Sequence, residues 1–272
     1  MPSLREALQP FAVVIVTGGS SGIGKSFIEL GSKLKPELLF CNLSRRSPAK
    51  NSTPGRLNHF TCDLSHPEEI DRTVRELETF LDQAAVAGPI LLINNSGFGA
   101  FGRFPTPELE NELAMIDVNV RAVVQLTGRL LPLLLSRGGA IMNIASVMAF
   151  QPTPFSATYG ASKAFVLHWT LALHEELRGS KVRALAVCPG TTTTEFFRTA
   201  GLGDKAILPA LAMSTDEVVT LALKALAAGR SQIVTGWKNK VYTFAASKIS
   251  KPLAARISGR VLQRFRLGKA SS

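Results

Sequence analysis

The sequence predicts an α/β fold, a doubly wound parallel sheet of about seven strands with helices on both faces. Three observations carry this. Short apolar runs alternate with longer segments of helical period through most of the 272 residues. Most of the short runs are almost continuously apolar, as strands covered on both faces must be. A glycine-rich turn, TGGSSGIG at 17–24, joins the first apolar run to the first helical segment.

Each element follows from its local pattern. Strands are expected at Phe11–Thr17, Leu38–Leu43, Asn58–Cys62, Ile90–Asn94, Ala140–Ala145, Lys181–Cys188 and Gln232–Thr235. Helical periodicity fills Ile23–Leu34, Pro67–Ala85, Pro107–Leu135 and Phe155–Arg178. Strands separated by helices in this order pair in parallel through right-handed crossovers. The exception is SRRSPAKNSTPGRL, between the second and third strands. Pro48, Pro54 and Gly55 argue against a helix there, so an irregular loop is expected. No linker or repeat divides the chain. Residues 1–235 read as the body of one domain, and 236–272 as an arm belonging to it.

Composition narrows the function classes. With 46% hydrophobic and 19% charged residues, the chain can build a large core. Cys41, Cys62 and Cys188 are scattered and form no C-x-x-C pair, which fits a reducing, cytoplasmic compartment. His168 and His174 fall on different helix faces, so no metal site is expected. The opening MPSLREALQP mixes charge signs and is not expected to be a secretory signal. No stretch is expected to reach the roughly 20 apolar residues needed to span a bilayer.

The net charge of +11 is unevenly placed. Through Glu217 the chain carries 20 basic and 20 acidic residues. Beyond it there is no acid, while 11 lysines and arginines remain. In this arm Val241, Ala245, Ile249, Leu253, Ile257, Val261 and Phe265 recur every four residues. This is a helical stripe that Pro252 should break in two. A basic amphipathic arm can pack on its own domain or on a partner subunit, or lie on an anionic membrane. Packing is the leading expectation and peripheral membrane contact the alternative. No nucleic-acid partner is expected, because no binding module accompanies the charge.

The glycine-rich turn has the geometry of a dinucleotide site. Gly18, Gly22 and Gly24 allow a tight turn, a close pyrophosphate approach and close helix packing. Ser20, Ser21 and Ile23 fill the turn and open the helix, whose N-terminus faces the phosphates. The second strand ends LSRR, and no acid occurs between Leu38 and Asp63. An acid there would take the ribose hydroxyls, whereas an arginine fork accommodates a 2′-phosphate. NADP(H) is therefore expected over NAD(H), held by Arg45 with Arg46 beside it and with Ser21 and Ser44 as hydroxyl partners.

Further along, Tyr159 and Lys163 lie four apart in YGASK, thirteen residues after Ser146. On a helix they share a face, and an ammonium beside a phenol favours the phenolate. Together with the turn, these pieces resemble the classical short-chain dehydrogenase/reductase family. The resemblance rests on TGGSSGIG at 17–24, CDLS at 62–65, NNSG at 94–97, Asn119 in DVNV, Ser146 in NIAS, YGASK at 159–163 and CPGTTTTEF at 188–196. It covers almost the whole chain and implies a Rossmann-type fold.

The resemblance also implies roles. Asp63 and Leu64 border the adenine. Asn94, Asn95, Ser96 and Gly97 follow the fourth strand and line the cofactor cleft. Asn119 bends its helix and holds a water linked to Lys163. Ser146 binds the substrate oxygen. Tyr159 is the general acid or base, and Lys163 holds the nicotinamide ribose and lowers the tyrosine pKa. Pro189, Gly190 and Thr192 seat the carboxamide, and Thr194 reaches the amide or pyrophosphate. The activity implied is hydride transfer between NADPH and a ketone or aldehyde, in a homodimer or homotetramer. Two segments are expected to wall the substrate pocket, FGAFGRFP at 98–105 and a lid at 196–213. The phenylalanines Phe98, Phe101, Phe104, Phe150, Phe155, Phe196 and Phe197 favour a hydrophobic substrate. The alternatives are a peripheral membrane reductase of a lipid or acyl carbonyl and a non-catalytic NADP-binding regulator.

Overall fold

A computed structural model describes residues 3–48, 56–104, 108–193 and 212–263. Seven parallel strands form one sheet: β1 (Val13–Thr17), β2 (Leu39–Ser44), β3 (Arg56–Thr61), β4 (Ile90–Asn94), β5 (Gly139–Ile144), β6 (Val182–Cys188) and β7 (Gln232–Val234). Their order across the sheet is β3-β2-β1-β4-β5-β6-β7, so the winding reverses between β1 and β4. Each predicted strand is present, with ends shifted by no more than two residues.

The continuous apolar strands have two partners because alternate side chains face opposite layers. Val14, Val16, Leu91, Ile93 and Met142 pack towards α1 (Leu4–Leu8), α2 (Gly22–Leu34) and α7 (Thr215–Ala227). Val13, Ile15, Ile90, Leu92 and Ile141 pack towards α3 (Pro67–Gln83), α5 (Ala122–Arg137) and α6 (Ala157–Glu176). Helices α1 and α7 were not expected from periodicity. Both open on the same capping box. The Ser3 and Ser214 hydroxyls accept from the backbone N–H groups of Glu6 and Glu217, whose carboxylates accept in return. The S-x-x-E spacing was a legible signal for both.

The segment expected as one helix over Pro107–Leu135 is interrupted. Helix α4 (Leu109–Ile116) runs into a π-helical turn, Asp117–Arg121, before α5 begins. The run Leu109–Arg137 is long enough to cross a membrane, and its most apolar 18-residue window has a mean hydropathy of 1.3. By length and composition this corrects the expectation that no stretch would suffice. Here the helix is a wall of the core, burying Met115, Leu126, Leu130 and Leu134. Between β2 and β3, residues 45–48 are non-helical, as expected; 49–55 lie outside the described residues.

The arm divides at the proline. Helix α8 (Trp237–Lys248) ends before Pro252, which sits in the first turn of α9 (Lys251–Leu262), where its missing N–H costs nothing. Both helices pack on the domain. Lys251 Nζ donates to the Phe150 carbonyl at 2.8 Å, Ser258 Oγ donates to Pro152 O at 3.0 Å, and Gln151 bonds Tyr242. The apolar stripe is not what packs. Thr243, Ala246, Ala254 and Ser258 are buried, whereas Val241, Leu253, Ile257 and Val261 face solvent. Phe265 lies outside the described residues.

Candidate active site

At the reversal point, the carboxyl ends of the strands open into a cleft of about 770 Å³. Sites of this kind form where neighbouring crossovers diverge to opposite faces. The β1–α2 turn floors one end. Gly18 has φ +70°, a conformation L side chains rarely adopt, and an added Cβ would meet Ser96 Oγ at 2.6 Å. Ser21 N-caps α2 without spending its side chain on a capping bond. Ser20, Gly22 and Ile23 also line the cleft, whereas Gly24 stands behind it, packed on Asn95 and the Gly18 carbonyl.

Sequence reasoning missed two residues that hold this turn. Asn42 Oδ1 accepts from the Gly19 N–H at 2.7 Å. Thr17 Oγ1 accepts from both the Asn95 and Ser96 N–H groups at 2.9 Å. Asn42 was visible as the polar residue of an otherwise apolar strand. Asn95 Nδ2 donates to Thr17 O at 2.9 Å, so β4 and β1 are tied together beneath the cleft. The neighbouring Asn94 corrects an expectation. It is buried, donates to Thr127 Oγ1 and Asn143 Oδ1, and joins helix to sheet rather than lining the cleft.

At the β2 end, Ser44, Arg45, Arg46, Asp63 and Leu64 line the wall. Ser44 Oγ is committed locally, donating to Arg46 O at 2.7 Å. Arg45 is largely exposed and faces Asp63 at 3.7 Å. Burial raises the Asp63 carboxyl, but hydrogen bonds from the Ser65 hydroxyl and N–H, with the Arg45 and His66 charges, outweigh it and hold the group below its usual range.

At the other end, α6 delivers Tyr159 and Lys163 into the cleft, one turn apart and both buried. Lys163 Nζ donates to the Ile144 carbonyl at 2.8 Å and stands 5.9 Å from the Tyr159 ring centroid. Burial pulls its ammonium down from 10.5 to about 8. The adjacent Cys188 thiol is pushed up to about 12 by burial, so it stays neutral beside the lysine. Tyr159 packs with Ala100, Met115, Phe98 and Met148 in a small apolar cluster. Ser146, at the end of β5, lines the same space and accepts from Met148 N–H at 3.1 Å.

Asn119 lies at the centre of the π-helical turn, fully buried and behind the cleft wall. Its Oδ1 accepts from Phe98 N–H at 3.1 Å. Its Nδ2 donates to Phe98 O at 2.9 Å and to Ser162 Oγ at 3.0 Å. Ser162 donates onward to the Tyr159 carbonyl, a link that sequence reasoning missed. A Cβ on Gly97 would fall 2.9 Å from Asn119 Oδ1 and 3.1 Å from Lys163 Nζ, so only glycine lets these groups approach. Pro189, Gly190 and Thr192 close the cleft beyond β6. Val147 N–H donates to Pro189 O at 2.9 Å, and Thr192 bridges Met213. Thr194, Phe196, Phe197 and most of the expected lid lie outside the described residues. Of the described phenylalanines, Phe98 and Phe101 line the cleft; Phe104, Phe150 and Phe155 do not.

Comparison with known proteins agrees with this architecture. The family model for the short chain dehydrogenases matches residues 12–204. A sulfoacetaldehyde reductase of Chromohalobacter salexigens is 31% identical over 217 residues, 75% of this chain and 81% of that one. The ketoacyl reductase HetN of a Nostoc species is 30% identical over 184 residues, 65% of this chain and 62% of its own length. A short-chain dehydrogenase from Sphingobium yanoikuyae, solved with NADPH, superposes with a TM-score of 0.73 at 26% identity, covering 89% of this chain and 97% of that one. With the cleft at the sheet's reversal point, these matches place the chain in the short-chain dehydrogenase/reductase family, as an oxidoreductase acting on CH–OH or C=O groups.

Proposed function

We propose that the chain is an NADP(H)-dependent reductase of hydrophobic ketones or aldehydes, and of the secondary alcohols in reverse. The carrying observation is the pairing of buried Tyr159 and Lys163 at an apolar end of the cleft, with an arginine pair at the other. The chain's own residues fit a nicotinamide dinucleotide. The left-handed Gly18 turn and the α2 N-terminus suit a pyrophosphate, and the Arg45–Arg46 corner suits a 2′-phosphate. Pro189, Gly190 and Thr192 would hold the carboxamide. When bound, the cofactor supplies or accepts the hydride.

The remaining chemistry belongs to the protein. Ser146 donates a hydrogen bond to the substrate oxygen. Tyr159 gives it a proton as negative charge develops, or takes one in oxidation. Lys163 supports the phenolate with its charge, and Asn119 holds Phe98 and α6 in register. Phe98, Phe101 and Met148 exclude water around the reacting carbonyl. Residues 1–235 form the catalytic domain in this reading and 236–272 its arm. The three buried free cysteines fit a reducing cytoplasm.

An NADPH-oxidation screen over hydrophobic ketones and aldehydes, with NADH in parallel, tests the assignment. On any substrate found, Tyr159→Phe should lower kcat by about 10²-fold or more with NADPH binding retained. Full activity in that variant would refute the mechanism.

A further inference from the structure

The arm inverts the usual sorting of a surface helix. Its small residues face the protein and its large apolar residues face water. On α8, Thr243 and Ala246 are buried, while Trp237, Val241 and Phe244 are 72%, 61% and 66% exposed. These three lie at i, i+4 and i+7, on one face. On α9, Ala254 and Ser258 are buried, and Leu253, Ile257 and Val261, at i, i+4 and i+8, are nearly half exposed. Both helices are anchored on the segment Phe150–Pro154. Tyr242 and Lys251 bond Gln151 and Phe150, Ser258 bonds Pro152, and Gly259 lies against Pro154. The anchoring is specific, so the outward apolar faces are held out by structure.

Charge identifies what covers them. Lys238, Lys240, Lys248, Lys251, Arg256 and Arg260 are all exposed on these helices, and the chain has no acid after Glu217. Lys238 stands over the Trp237 ring at 5.8 Å and Lys248 over Phe244 at 5.4 Å, so cations flank the aromatic residues at the surface. Two copies meeting about a two-fold axis would bring this patch against itself, cation facing cation. Nucleic acid would neutralise the cations but leave the aliphatic side chains in water. An interface with anionic headgroups above and acyl chains below satisfies both sets at once.

We propose that the outward face of α8 and α9 docks the protein on an anionic lipid surface. Docking there places the cleft beside the bilayer. The arm packs on the 3₁₀ turn Val147–Phe150, whose Val147 and Met148 line the cleft, and Asn239 of α8 abuts Gly190. The proposal concerns a surface and stands whichever carbonyl is reduced.

Vesicle flotation of the full chain tests it, comparing pure phosphatidylcholine with phosphatidylcholine containing one part in three phosphatidylglycerol. The protein should float with the anionic vesicles only. Lys238→Gln, Lys240→Gln and Lys248→Gln should each weaken partitioning by about fivefold. Trp237→Ser with Phe244→Ser should abolish it while leaving the thermal melt in place, since both side chains are exposed. The chain has two tryptophans, so Trp237→Phe isolates the second reporter. A blue shift of Trp237 emission on anionic vesicles, absent in Trp237→Phe, is expected. No flotation, or flotation unchanged by the serine pair, overturns the proposal. So does tighter binding to duplex DNA than to vesicles, or self-association of the wild type that the serine pair dissolves.

Discussion

Lys163 joins the chemistry proposed for this protein to its stability. Its ammonium is pulled from 10.5 to about 8 by burial, while the same lysine in the unfolded chain keeps its proton to higher pH. Between about pH 8 and 10.5 the unfolded chain therefore binds the extra proton, and the native state gains stability as pH rises. Across that window the gain is up to about 3 kcal/mol. In the apoprotein, the stability difference between wild type and Lys163→Met, followed by denaturant unfolding, should change in favour of the wild type from pH 8 to 10. A difference independent of pH would mean that the lysine is not desolvated. Arg45 makes the opposite kind of interaction. Its Asp63 pair, 3.7 Å apart with the guanidinium mostly exposed, is worth ~1 kcal/mol or less, so the guanidinium is readily given up to another anion. A phosphate held by charge-assisted bonds is worth more. Arg45→Ala should raise the KM for NADPH about tenfold or more and leave that for NADH nearly unchanged. Equal effects on both cofactors would remove Arg45 from phosphate recognition. Both residues were legible in the sequence as motif members. The depressed lysine and the acid facing Arg45 were not, because both depend on neighbours distant in the chain.

At the scale of elements, the π-helical turn decides the most. Periodicity reads Pro107–Leu135 as one helix because apolar residues recur with helical spacing through the bulge. The turn around Asn119 lets its side chain hold both backbone groups of Phe98 and reach Ser162 on α6. Asn119→Ala leaves those buried groups without their partner, at about 1 kcal/mol for each bond lost and about 2–4 kcal/mol in all. Chemical denaturation should register that loss, and kcat should fall with it as Phe98 and Tyr159 lose register. A variant as stable as the wild type would mean that water fully replaces the amide. The strands were read almost to the residue, since a doubly covered strand leaves an unbroken apolar run. Helices α1 and α7 went unread although each begins with S-x-x-E. Their apolar faces are short, and periodicity alone gives them little weight.

For the molecule as a whole, helices other than those of the arm also expose large apolar side chains. Leu109, Leu113, Ile116, Val124 and Phe165, on α4, α5 and α6, are exposed, and Phe165 stacks on Trp169 at 6.5 Å. Exposed side chains of this size on neighbouring helices suit self-association. Light scattering coupled to size exclusion should give a dimer or tetramer, and Leu113→Asp should shift it towards the monomer without loss of helical signal. A monomeric wild type at micromolar concentration would refute this. By itself the sequence determined the sheet, the turn at its reversal point and the Tyr159–Lys163 pair, because each is encoded by neighbours a few residues apart. Tertiary structure alone decided the rest. It showed that Asn94 braces the sheet while Asn95 and Thr17 tie the cleft's floor, and that Asn119 bonds both backbone groups of Phe98 from behind the wall. It also turned the arm's apolar stripe to solvent. A helical period says only that residues share a face. Which way that face turns depends on what the fold brings against it, and here the small residues of the arm fit the Phe150–Pro154 segment.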